Sequence, residues 1–287
     1  VVCGLWGWPS APTLYAHIGA DEVGASGGGI GAILRNHSVK LAAFVYLVCF
    51  MLAKREPPAP KIPPAVTPLD QRRDASRVVR VSVLLSLVSG IVNAVAIIEM
   101  GGTVAHHTGN ASHAGRLAGS DGARFAALMI AYLAGAAVVG YCKSDGEAVF
   151  TGHYSPAMVS GGVAVVAGAL IHGAGGSPLV ALPLLSFSQG IQNAITRKCS
   201  SLPVCTTHMT GYLTDAGSSV GDCVRNRSPV PMKTKFFIYS IFAFIFGGFL
   251  AKMLLDKFGI LVASFLPAAA MFVMGMGVCT VPRVRRL

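Results

Sequence analysis

Two short segments carry the residue types best suited to chemistry. His106-His107-Thr108-Gly109-Asn110 is answered 102 residues later by His208-Met209-Thr210-Gly211-Tyr212. Imidazole takes up a proton near neutral pH, and threonine adds a hydroxyl that both donates and accepts. In each copy the Thr-Gly step reads as the start of a short helix. A helix start exposes free N–H groups and partial positive charge, a setting for an anion or a polar solute. Gly101-Gly102 should end the helix before the first copy, with Thr108 or Asn110 as candidate caps of the next. His106, His107, Thr108, Asn110, Thr207, His208 and Thr210 are therefore the candidate lining of a substrate path. The alternative is that these turns only pack short helices together.

Each element follows an apolar stretch that is also duplicated. Leu85-Ser86-Leu87-Val88-Ser89-Gly90-Ile91-Val92-Asn93-Ala94 matches Leu185-Ser186-Phe187-Ser188-Gln189-Gly190-Ile191-Gln192-Asn193-Ala194 at six of ten positions. Asn93 and Asn193 stand at equivalent places. A polar side chain in hydrocarbon is costly unless paired, so both are expected to face the interior. With Gln189 and Gln192 they form either a symmetric polar centre or a hydrogen-bond clamp between the halves. Glu99 is the carboxylate nearest the end of this stretch and is the proton-coupling candidate. Gly115 and Gly119, answered by Gly217 and Gly221, have the Gly-x-x-x-Gly spacing of close helix packing.

The elements that position these residues are membrane spans. The chain is 53% hydrophobic and 12% charged, with mean hydropathy +0.62. Segments 81–98, 125–142, 156–175, 178–196 and 259–281 contain no Asp, Glu, Lys or Arg, and neither does 236–251, which extends past Lys252 to 255. Crossing the hydrocarbon core takes about 20 residues, and the backbone there must be helical. The expected fold is an all-α membrane protein of six transmembrane helices. Three spans lie on each side of a boundary near Gly176. Since three is odd, the second copy enters from the opposite side, which makes two inverted three-helix repeats. The expected organisation is an N-terminal extension over 1–78, repeats over 79–176 and 177–282, and a basic tail over 283–287.

The net charge of +11 follows this topology. With the residues before the first span inside, Lys and Arg from position 54 onward divide 17 inside to 4 outside. That bias is the positive-inside rule, so no nucleic-acid partner is expected. Both ends of the six-helix unit should face cytosol, matrix or stroma. The chain opens on Val1, which fits a processed organelle protein or a truncated chain, with an organelle inner membrane or thylakoid as candidate locations. The extension holds Trp6 and Trp8, a short apolar run over 39–53 and the prolines 57, 58, 60, 63, 64 and 68. The apolar run reads as an interfacial helix, a tilted seventh span or a partner-facing helix, the first or third being favoured, ahead of a stiff linker.

The paired motifs resemble the YoaK-like family, small polytopic membrane proteins classed as a domain of unknown function. The resemblance covers about residues 80–282 and implies an integral membrane fold without implying a reaction. Family members usually carry an acid where Asn93 stands, and Ser-His-Met-Thr-Gly-Asn where this chain has Ala105-His106-His107-Thr108-Gly109-Asn110. Loss of the acid weakens any expectation of proton coupling here.

Two functions fit. One is a small-solute transporter; the other is a non-catalytic accessory subunit of a larger membrane complex, organellar, respiratory or photosynthetic, held through its extension. No enzyme is expected: there is no H-E-x-x-H motif, and Gly24-Ala25-Ser26-Gly27-Gly28 lacks the preceding strand of a serine elbow. Cys199, Cys205, His208 and Cys223 match no common zinc spacing, so no metal is expected. No cofactor is expected either; pigment or lipid binding has no supporting signature. The expected partner is the lipid bilayer.

Overall fold

The computed structural model describes residues 68–117, 120–142, 154–198 and 205–276, with side chains from Val79. The expectations for the N-terminal extension, the 39–53 run, Gly119 and the 283–287 tail lie outside the described residues. Among those described there are seven helices and no strand. They are α1 (Pro68–Met100), α2 (His107–Arg116), α3 (Ser120–Tyr141), α4 (Ser155–Gly173), α5 (Pro178–Lys198), α6 (Met209–Asn226) and α7 (Met232–Gly275).

Four of them, α1, α3, α4 and α7, are long and apolar enough to cross a membrane. The expected fourth span, α5, has spanning length at 21 residues. It falls short on composition because Ser186, Ser188, Gln189, Gln192, Asn193 and Thr196 are all buried along it. The expected fifth and sixth spans are joined in the 44-residue α7, which breaks at Gly259 (φ 77°). The expected fifth span ends at 255 and the sixth begins at 259, and residues 256–258 between them continue the helix. Lys252 and Asp256 pair one turn apart there, which supports an exposed helical turn.

Helix ends follow local chemistry. Pro68 and Pro178 stand at first positions, where a missing N–H costs nothing. The Ser177 hydroxyl accepts the Leu179 N–H (3.3 Å) at the start of α5. Gly175 (φ 77°) lies in the four-residue junction between α4 and α5, a conformation that favours glycine.

Two helix pairs form the centre, and both depend on glycine. A Cβ added at Gly90 of α1 would fall on the Phe244 carbonyl oxygen of α7, and one at Gly247 of α7 on the Leu87 carbonyl oxygen. In the second pair, a Cβ at Gly190 of α5 would meet the Tyr132 carbonyl oxygen of α3, and one at Gly135 the Phe187 carbonyl oxygen. Leu87 and Gly90 correspond to Phe187 and Gly190 at the 100-residue offset of the repeat. The two crossings are therefore the same contact made twice. α4 packs against α5 and α7: a Cβ added at Gly168 would stand 3.1 Å from the Ala181 carbonyl oxygen, and one at Gly162 3.2 Å from that of Ala268.

α1 and α5 touch directly and lie antiparallel. Gln192, late in α5, reaches Leu85, early in the apolar part of α1. Gly102, just past the end of α1, lies against Leu182, early in α5. Ile130, Leu133, Phe242, Ile245, Phe249 and Phe265 project outward and are more than half exposed. So large an apolar surface suits lipid rather than water.

Candidate functional site

The two His-bearing elements are held by matching hydrogen bonds. The Asn93 side-chain oxygen accepts the N–H groups of Val104 (3.1 Å) and Ala105 (3.0 Å). Asn93 lies two turns inside the end of α1, so these bonds fold the following loop back along the helix. In the second copy the Asn193 side-chain oxygen accepts the Thr207 N–H (3.2 Å) and the Thr206 hydroxyl (3.2 Å). Ala105 and Thr207 are the same position of the repeat. Each asparagine thus anchors the loop of its own copy. Both amide oxygens accept from loop groups of their own copy, and Thr206, held by Asn193, also accepts from Gln192 and Ser89.

A second tie recurs with different chemistry. The Asn110 side chain donates to the Thr103 carbonyl (3.0 Å) and accepts its hydroxyl (3.1 Å). Its counterpart Tyr212 accepts the N–H of Cys205, the counterpart of Thr103, at 2.8 Å. The 102-residue offset would have led from Asn110 and Thr103 to Tyr212 and Cys205, but their unlike side chains hid the match.

Neither expected cap is used. The N-cap residues of α2 and α6 are His106 and His208, without a side-chain capping bond. A Cβ at Gly109 would strike the His106 ring, and one at Gly211 the His208 ring. The glycine of each His-x-x-Gly run therefore makes room for the imidazole across the first turn. His106, His208, Thr108 and Thr210 are all exposed. Their place is at the rim of the molecule, away from the buried polar groups.

The expected packing glycines are a correction. A Cβ at Gly115, Gly217 or Gly221 would meet nothing within 4 Å. α2 and α6 turn these glycines outward, and the close approaches fall at Gly90, Gly135, Gly190 and Gly247. Glu99 is exposed near the end of α1, apart from the interior.

The buried polar groups gather where α1, α3 and α5 meet the loops. The Gln192 amide nitrogen donates toward the Leu85 carbonyl (2.6 Å), the Ser89 hydroxyl (2.7 Å) and the Thr206 hydroxyl (3.2 Å). Ser89 in turn donates to Thr206 (3.1 Å). This cluster joins the two copies, and Ser89 was not among the expected site residues. Tyr132 of α3 brings the loops near one another. Its ring lies 4.3 Å from that of His107, and its hydroxyl lies near the Thr207 side chain. Burial pushes the His107 imidazole below its ordinary range; contact with the Val104 backbone opposes this and the neighbouring His106 reinforces it. The neutral ring is therefore favoured at pH 7.

The polar groups of the interior are uncharged. Among the described residues the buried polar side chains are Ser, Thr, Asn and Gln, with no Asp, Glu, Lys or Arg. Among them, too, no group of three or more His, Cys, Asp or Glu is placed to hold a metal.

These features define an all-α protein with helices fit to cross a membrane and two folded-back loops over a neutral polar interior. The family described as "Protein of unknown function (DUF1275)" matches residues 81–278, most of the chain, and the chain belongs to that family. No curated protein and no solved structure matches it.

Proposed function

We propose that this chain is a membrane carrier for a small solute, built as two inverted three-helix repeats. In this reading α1 and α5 open the two copies from opposite sides, and the two halves of α7 count as separate spans. α1, α3 and α4 then correspond to α5 and the two halves of α7, six crossings in all. The antiparallel α1 and α5, the duplicated glycine crossings and the duplicated asparagine anchors support this arrangement. The YoaK-like resemblance of the paired motifs agrees with it and adds no reaction.

The observation that carries the transport reading is Tyr132, which touches His107 of the first element and stands within reach of Thr207 of the second. Two broken-helix elements approaching one another from opposite faces are how many carriers enclose a site near the midplane. His106 and His208 would then stand at the two mouths. The rival reading is an accessory subunit of a larger complex.

The test is equilibration of small solutes across liposomes containing the purified chain, followed by light scattering after an osmotic jump. The panel is glycerol, urea, acetamide, sodium formate and sodium nitrate. At least one should equilibrate several-fold faster than in empty liposomes, and Tyr132→Leu should abolish the gain. If every solute moves as in empty liposomes, the carrier reading falls and the accessory role takes its place.

A further inference from the structure

Gln189 of α5 is fully buried, and neither its amide nitrogen nor its amide oxygen has a hydrogen-bond partner. One turn on, Gln192 spends its nitrogen on Leu85, Ser89 and Thr206, while its buried oxygen is unpartnered too. A spacing of three residues puts both amides on one side of α5. Gly190, next to Gln189, lies against the Tyr132 backbone, so Gln189 stands at the level of the residue that approaches both loops. The buried His107 Nε2, whose ring touches Tyr132, also lacks a partner.

Leaving such a group unpaired in the interior is destabilising. A purely structural core would be more stable with leucine at 189. Buried polar groups held without partners are characteristic of sites that discriminate by hydrogen bonding. We infer that Gln189 and Gln192 form the solute-recognition site, and that the solute is small, uncharged and able both to donate and to accept hydrogen bonds. Resting on the carrier reading above, this inference narrows it to a substrate class. The Gln189 nitrogen needs an acceptor, while the two glutamine oxygens need donors. An amide, a urea or a polyol supplies both. An ion is disfavoured because no buried carboxylate, ammonium or guanidinium among the described residues can offset its desolvation.

The experiment uses the same liposomes with wild type, Gln189→Leu and Gln189→Met. Acetamide, urea or glycerol should equilibrate faster through wild type, with formate and nitrate unchanged. Both variants should lose at least nine-tenths of that gain, and both should unfold at a temperature equal to or above that of wild type. That last readout separates a recognition residue from a structural one. Acceleration of formate or nitrate alone would overturn the neutral-solute assignment while leaving the carrier standing. Acceleration of neutral solutes that survives in both variants would overturn the role of Gln189. If nothing moves, acetamide is titrated against the purified chain and thermal unfolding is followed. A stabilisation confined to wild type upholds the site without a carrier, and none overturns it.

Discussion

At Asn93 one amide oxygen receives two loop N–H groups, and Asn193 does the same for an N–H and a hydroxyl. Asn93→Leu leaves two donors without an acceptor, at roughly 1–3 kcal/mol for each that stays buried. Thermal unfolding in detergent should show that loss, and limited proteolysis should cut the 101–106 loop sooner. Asn93→Asp keeps an acceptor for both groups, so it should retain the protected loop. Equal loss in the Asp and Leu variants would overturn the anchoring role. It follows that an acid at this position, as in the YoaK-like pattern, can anchor the loop without carrying a proton. The importance of Asn93 and Asn193 was legible from their matched places in two apolar runs. Their partners were not, because a loop that doubles back along a helix leaves no periodic mark. The fully buried Ser89 was hidden for another reason: serine is common in such runs, and only contact with Gln192 and Thr206 marks it.

The helices themselves were legible wherever composition decides them. Charge-free runs located α1, α3 and α4, and the repeat placed α2 and α6 at their His-x-Thr-Gly elements. α5 was found by the absence of charge, although its buried amides and hydroxyls keep it from being strongly apolar. Glycine spacing misled, because Gly-x-x-x-Gly says that backbones can touch without saying which face turns inward. Gly90 with Gly247 and Gly190 with Gly135 make the actual approaches, and each pair joins residues far apart in sequence. Gly90→Ala or Gly135→Ala would set a methyl against a carbonyl and force the helices apart, at a typical cost of roughly 1–3 kcal/mol. Gly115→Ala and Gly217→Ala meet open space and gain helix propensity, roughly 0.5–1 kcal/mol. Unfolding midpoints should therefore fall for the first two and hold or rise for the second two. The opposite order would mean that the crossings lie elsewhere.

Across the whole molecule, similarity between the copies is strongest in the backbone and weakest in polarity. The glycine crossings and asparagine anchors repeat, yet Gln192, Thr206 and Tyr132 correspond to Val92, Val104 and Phe244. The duplicated scaffold therefore carries polar side chains at positions whose counterparts in the other copy are apolar. If the copies are inverted, their short helices must begin at opposite membrane faces. His106 and His208 report this directly, since both are exposed and both precede a short helix. With the seven native cysteines replaced by serine or alanine, His106→Cys and His208→Cys would each provide one thiol. In vesicles of uniform orientation, a membrane-impermeant maleimide added outside should label one variant, while the other should react only after the membrane is opened. Lys233→Cys, at the exposed start of α7, should follow His208→Cys, because α6 leads into α7 on the same face. Labelling of His106→Cys and His208→Cys from one side would break the inverted arrangement. The carrier would then lose its architecture even if Gln189 bound a solute. Labelling from opposite sides is the outcome that the inverted arrangement requires.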